Sequence, residues 1–579
     1  MEASKISIRF GGERIGKGGG FPMKKRWLCL LLVLATLIAY AASGEQSAPA
    51  AILGSGSFFP LESPVTLTAW VVNAVDSVSV SDNYVLDWIE EKANVRLEIT
   101  REFSGSDAKR QLNLCVETEA ELPDILLCTR WSKAECALYG IEGVVLPLDE
   151  YLKGCENWNR LNDICGPGRR EDLTMPDGHI YCFGSVNECF HLTHQARMWV
   201  YQPWIDALCG GKLPETTEEF RDYLRKVLES DPNGNGLKDE IPLTGQIAEG
   251  WATDPITFLS NSFVHNNTIF GSTNQTVAPG CYVDDGQVKC TWAEEGYREA
   301  LRYLRDLCRE GLLHSQAFTQ NGRQLSARLE AEPHLVGAVA SGYFPKVEDH
   351  VLDNGTYSEW VCLPPLAGPD GTRMSYQSGY DYFYNCNGLL TRDCRYPDIA
   401  IQLFDLLASS EGTLVQNFGQ EGIDWVWCEA DDGMGIDDSP AIYRFLWENQ
   451  GIPRDKQQYW PADVQICSNF DSFRKGALVG EGTFNGENEL WKCAELYEQY
   501  SPGKDSVYPN IVSSEEASKK LVNYQSAIGQ YVRQSTIYFI TDYMNLDSDW
   551  NAYLSMLDVL GMRDYQSLLQ QAYDEYITN

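Results

Sequence analysis

Between residues 64 and 139 the chain alternates short apolar, β-rich runs with helical periodicity, and few folds satisfy that alternation. Pro64–Val72 carries no charged residue and is rich in Val, Leu and Trp. A helical stretch over Val85–Ala93 follows, then a second strand at Val95–Thr100 and a helix near Ala108–Val116. Pro123–Leu127 reads as a third short strand, trailed by a helix near Lys133–Tyr139. Strands that are apolar on both faces need both faces covered, which a parallel sheet flanked by crossover helices provides. The segment is therefore expected to form an α/β lobe.

A second block starts near Trp199. Thr216–Glu219 reads as a capping box opening a helix whose Phe220, Leu224, Val227 and Leu228 share one face. Another helix over Glu294–Gly311 buries Ala300, Tyr303, Leu304 and Leu307, and strands follow at Leu335–Ala340 and Trp360–Leu363. Helices dominate from Pro397 to the end. A chain of 579 residues outgrows a single core, so two or more lobes are expected.

The N-terminus reads as an export signal. Lys24, Lys25 and Arg26 precede an apolar run from Trp27 to Ala42, and Ala39–Ala41 fits a small-x-small cleavage pattern. Residues 1–22 read as a translation-start artefact ahead of Met23. With 1–44 set aside, 46 basic and 82 acidic residues become 39 and 80, a charge of −41. A field of that sign repels phosphate backbones and anionic headgroups, which argues against nucleic acid and membrane surfaces as ligands. Residues 45–63 read as a Ser-, Pro- and Gly-rich tether. Of the 18 cysteines, no two stand in CxxC spacing, and buried thiols packing as small apolar groups are the default expectation. One pair stands apart. Asp285 and Gly286 form a two-residue hairpin signal that sets Cys281 opposite Cys290 on a non-hydrogen-bonded rung able to accept a disulfide.

Asp231, Asn233 and Asn235 alternate ahead of Gly236, aiming side-chain oxygens at one point where the backbone must turn. The Leu237 carbonyl adds a further oxygen. A hard cation fits such a loop; an Asx/Gly-rich turn without metal is the alternative.

Several segments occur together in order: Leu122–Ile125, Pro176–Tyr181, Trp204–Leu208 with Leu213–Phe220, Asp231–Pro242, Glu310–Leu312 and Phe418–Trp425. In this order the chain resembles the extracellular solute-binding proteins of ABC importers (family 1), and within them the large calcium-containing type that binds alginate oligosaccharides. The resemblance implies a two-lobe periplasmic-binding-protein-like α/β fold with a hinge and a ligand cleft between the lobes. It implies a lobe of residues 64–195 with 332–384, a second of 196–331 with 385–579, and crossings near 192–198, 328–334 and 380–388. It also implies structural calcium, with Asp239 and Glu240 closing the shell, and delivery of an oligosaccharide to a membrane permease by a monomer that is not an enzyme. A lipid-anchored cysteine after the apolar run is common in such proteins. Here none lies between Cys29 and Cys115, so an exported product without lipid is expected.

For the ligand, loops at the C-terminal ends of strands are favoured. Trp70, Asn73, Arg130, Trp131, Trp251, Tyr343, Tyr380, Asp381, Asp424 and Trp425 are the candidates, aromatic rings for pyranose faces and polar groups for hydroxyls. No GxSxG, HExxH or Walker loop is present. A secreted carbohydrate-active enzyme and a peptide-binding protein of the same fold are the alternatives. His191 and His194 could share a helix face and take a metal, though a polar surface is the simpler expectation for both.

Overall fold

The structure is a computed structural model that describes residues 58–578 apart from internal stretches, the longest of which are 346–358 and 447–458. The export segment, most of the tether, Asn73, Arg130 and Asp381 lie outside the described residues. Among the described residues no helix is long and apolar enough to cross a membrane.

Two four-stranded sheets organise the chain. Their strands are β1 (Val65–Val72), β2 (Val95–Phe103), β3 (Ile125–Leu127), β4 (Met198–Tyr201), β5 (Ile241–Thr244), β6 (Val336–Ala340), β7 (Trp360–Leu363) and β8 (Leu389–Leu390). The first sheet has the order β8-β3-β1-β2, with β1 parallel to both β2 and β3 and β8 antiparallel at the edge. The crossover helix Tyr84–Ala93 starts at Asn83, whose side chain accepts the Val85 N–H at 3.1 Å, and stops at left-handed Asn94. Strand, helix, strand, helix, strand is the order the apolar pattern predicts. The second sheet, β7-β4-β6-β5, is mixed: β4 is antiparallel to β6 and β7, while β5 is parallel to β6.

Each sheet has its own core, so the chain is a two-lobed α/β fold. The first core draws on residues 61–186 and 383–477, the second on 198–366 and 490–569. The expected lobe boundaries need correction. β6 and β7 pair with β4, which places 332–345 and 359–366 in the second lobe and removes the crossing expected near 328–334. Residues 386–477 belong with the first sheet through β8 and their share of its core. The chain thus passes between cores in 187–197, 367–382 and 478–489.

Two local expectations come out differently in detail. Thr216 caps the helix Thr217–Glu229 by accepting the Glu219 N–H at 3.1 Å. The Glu219 carboxylate, however, accepts from Glu215 N–H at 2.8 Å rather than from Thr216, so the cap is not reciprocal. The hairpin Cys281–Asp284 with Gln287–Cys290 has the expected register, turned by Asp285 (φ 49°) and Gly286 (φ 75°). Cys281 and Cys290 face each other with sulfurs 2.7 Å apart, both as thiols. In oxidising buffer the pair is expected to close. Intact mass would fall by one H2, and a non-reducing digest would join the two peptides. Both residues alkylating without reductant would show the opposite.

Candidate functional site

Described residues of the three passages, His191, Tyr376 and Glu487 among them, meet near the loop after β6 at a junction of rings and buried polar groups. Trp251 is half-buried there, its ring 6.0 Å from Tyr343 at 30° and 5.9 Å from the His191 ring. Backbone geometry fixes this group. Gly342 N–H donates to the Trp251 carbonyl at 2.9 Å, and a Cβ on Gly342 would stand 2.9 Å from the Trp251 indole. Only glycine lets the indole lie so close to the chain. The buried Arg197 guanidinium donates to the Gly342 carbonyl at 2.5 Å and also to the His191 carbonyl, tying the first passage to the loop after β6. The Trp251 indole N–H donates to Gln195 Oε1, and Gln195 Nε2 donates to the Tyr376 hydroxyl at 3.3 Å.

A charged network joins the two lobes beside these rings. Arg474, on the first-lobe helix Asp471–Lys475, donates Nη2 and Nε to the two oxygens of Glu487 at 2.8 and 3.2 Å. Glu487 opens the helix Gly486–Glu498, which packs in the second core, and its Oε2 also lies 3.2 Å from His191 Nε2. Burial opposes charge on Glu487, but Arg474 and His191 hold its carboxyl well below the usual range. Burial lowers the His191 pKa, and its Nδ1 is buried with no hydrogen-bond partner. Burial raises the Tyr343 hydroxyl to about 12, leaving it a neutral group at physiological pH. The Tyr382 hydroxyl donates to Glu188 Oε1 at 2.7 Å near the same junction.

Of the candidates, Trp251 and Tyr343 are brought together, and half-buried Tyr380 lies on the second passage with the Lys504 ammonium 5.9 Å from its ring. Others are corrected. Trp425 is fully buried in the first core and donates its indole N–H to the Gly419 carbonyl at 2.9 Å. Asp424, next to it, accepts the Gln420 N–H at 2.7 Å and braces the turn. Trp131 is buried against Tyr139, ring centroids 4.4 Å apart, and Trp70 is buried edge-on to Phe103. Their rings are occupied by protein, which leaves no face for a sugar. His191 and His194 are not a polar surface: both are buried, and His194 lies 2.6 Å from Glu498. Tyr376, near the last expected crossing, was foreseen; Gln195, Arg474 and Glu487 were not. The His191–His194 pair beside a predicted crossing was the available signal.

In the oxygen-rich loop the side-chain oxygens accept backbone N–H groups, as in an Asx/Gly-rich turn. Asp231 accepts from Asn235 and Gly236 N–H at 3.1 and 2.8 Å, Asn235 Oδ1 accepts from Leu237 N–H at 2.6 Å, and Asn235 Nδ2 reaches Asp239 at 3.1 Å. Gly234 and Gly236 take positive φ of 71° and 78°. Glu240 is buried, and both carboxylate oxygens lack a hydrogen-bond partner. A buried carboxylate with four empty lone-pair sites is costly unless a cation takes it, so the residues present fit a hard divalent ion.

No family model matches the sequence. The chain is 24% identical over 565 residues to the fructooligosaccharide ABC transporter substrate-binding protein FusA of Streptococcus pneumoniae serotype 4, covering 96% of this chain and 98% of the relative. It is 22% identical over 357 residues to the lipoprotein LipO of Bacillus subtilis, across 58% of this chain and 66% of LipO. Among solved structures, FusA in complex with kestose superposes with a TM-score of 0.72 at 20% identity, covering 89% of this chain and all of that one. The human-milk-oligosaccharide-binding protein of Bifidobacterium longum infantis gives 0.69 at 20%, with 89% and 99% covered, and alginate-binding AlgQ2 without calcium gives 0.65 at 19%, with 89% and 98% covered. With two sheets, two cores and three passages between them, the chain is similar to FusA along nearly its whole length and shares the two-lobed α/β fold of these ABC-transporter substrate-binding proteins.

Proposed function

We propose that this chain captures an oligosaccharide at the junction of its lobes, outside the cell membrane, and passes it unchanged to the permease of an ABC importer. The correspondence with a fructooligosaccharide-binding protein along nearly the whole chain carries this reading. The junction supplies matching chemistry in the rings of Trp251 and Tyr343, suited to pyranose or furanose faces. Short neutral oligosaccharides, kestose among them, are the substrates to test first. Calcium held by Asp231, Asn233, Asn235, Asp239, Glu240 and the Leu237 carbonyl is structural in this account, bracing the segment between the helix Thr217–Glu229 and β5. Related solved structures include an EF-hand mutant of FusA and AlgQ2 without calcium, which supports the assignment.

Trp251→Ala tests the site. Affinity for a bound oligosaccharide should fall by about 1 kcal/mol or more, since aromatic stacking is worth that beyond area. Calorimetric titration of parent and variant measures it. Unchanged affinity would move the site elsewhere.

A further inference from the structure

Three cysteines far apart in sequence meet inside the first lobe. Cys136 lies on the helix Lys133–Ile141, Cys182 ahead of the first passage and Cys386 just before β8. All three are buried to 0% exposure, and their sulfur atoms lie within 4.8 Å of one another. We propose that Cys136, Cys182 and Cys386 form a three-thiolate site for a soft, thiophilic d10 cation such as Cu(I) or Zn2+.

Three converging sulfurs with no oxygen ligand among them select soft ions over calcium or magnesium. The ion pair of Lys133 and Asp172 lies on the same helix side of the group, Lys133 three residues before Cys136. Binding would displace thiol protons to solvent without any change of oxidation state. Cys386 sits at left-handed φ 49°, an uncommon conformation for a side chain-bearing residue, and its carbonyl accepts from Thr129 Oγ1 at 3.2 Å just beyond β3. A cation here would staple the end of the second passage to the first-lobe helix and to the start of the first passage. A second group, Cys189, His191 and Glu487, also converges, but its carboxylate is already taken by Arg474.

Reduced full-length protein, titrated anaerobically with Cd2+ as probe and then with Cu(I) and Zn2+ in competition, tests the site. One equivalent with a sulfur-to-cadmium charge-transfer band is expected, displaced by Cu(I) or Zn2+ according to which ion the site prefers. Cys182→Ser should abolish the band, and Cys281→Ser should leave it. X-ray absorption of the parent needs no variant: a shell of three sulfurs is expected. A shell with nitrogen or oxygen would assign the ion to Cys189, His191 and Glu487 and overturn the proposal. So would the absence of a stoichiometric band, its survival in Cys182→Ser, or a disulfide between any two of the three in freshly purified protein.

Discussion

Trp425→Ala should lower the stability of the first lobe by about 3–5 kcal/mol, the range for deleting a large buried aromatic. The side chain is completely buried, one ring edge-on to Trp427 at 5.2 Å, and its indole N–H satisfies the Gly419 carbonyl. Truncation leaves a cavity and an unpaired buried carbonyl, two costs that add. Urea unfolding followed by circular dichroism gives the change in midpoint. Oligosaccharide affinity of the folded fraction should stay within error. A stable variant with weakened binding would put Trp425 back at the ligand.

Chelation should have the next largest effect. An ion that binds only the folded state contributes RT ln(1 + [L]/Kd), about 2.7 kcal/mol at a free concentration 100 times Kd. Melting temperature should therefore fall on adding EGTA and recover with calcium. Glu240 gives the test its sign. Without metal its carboxylate is buried and unpartnered, so Glu240→Leu should be neutral or stabilising in chelator. In calcium the same variant should be less stable than the parent and blind to EGTA. Equal destabilisation in both buffers would make Glu240 a packing residue and remove the ion from the loop.

What could be read from sequence follows from how local the physics is. β1 and β3 were legible because they are largely buried and apolar, and the edge strand β2 because its apolar Val95, Leu97 and Ile99 alternate with exposed Arg96 and Glu98, while the intervening helices carry the complementary period. The sheet to which β6 belongs was not, since Val336–Ala340 is equally apolar whichever sheet it joins; antiparallel pairing with β4 decides it. The turn at Asp231–Gly236 was legible because its Asx and Gly residues lie within six positions of one another. Trp425 and Trp251 each follow a glycine-containing turn and look alike in sequence, yet one fills a core and the other borders the junction. Aromatic side chains serve both places with the same chemistry. Cys136, Cys182 and Cys386 share no spacing at all; only the fold brings them together.

The central claim is capture of an oligosaccharide without turnover. Calorimetric titration with a panel of short oligosaccharides including kestose, followed by chromatography of the recovered sugar, tests it directly. Saturable binding at one site per chain, a raised melting temperature and intact sugar are expected. Shortened sugar after incubation, or no oligosaccharide in the panel that binds, would contradict the account.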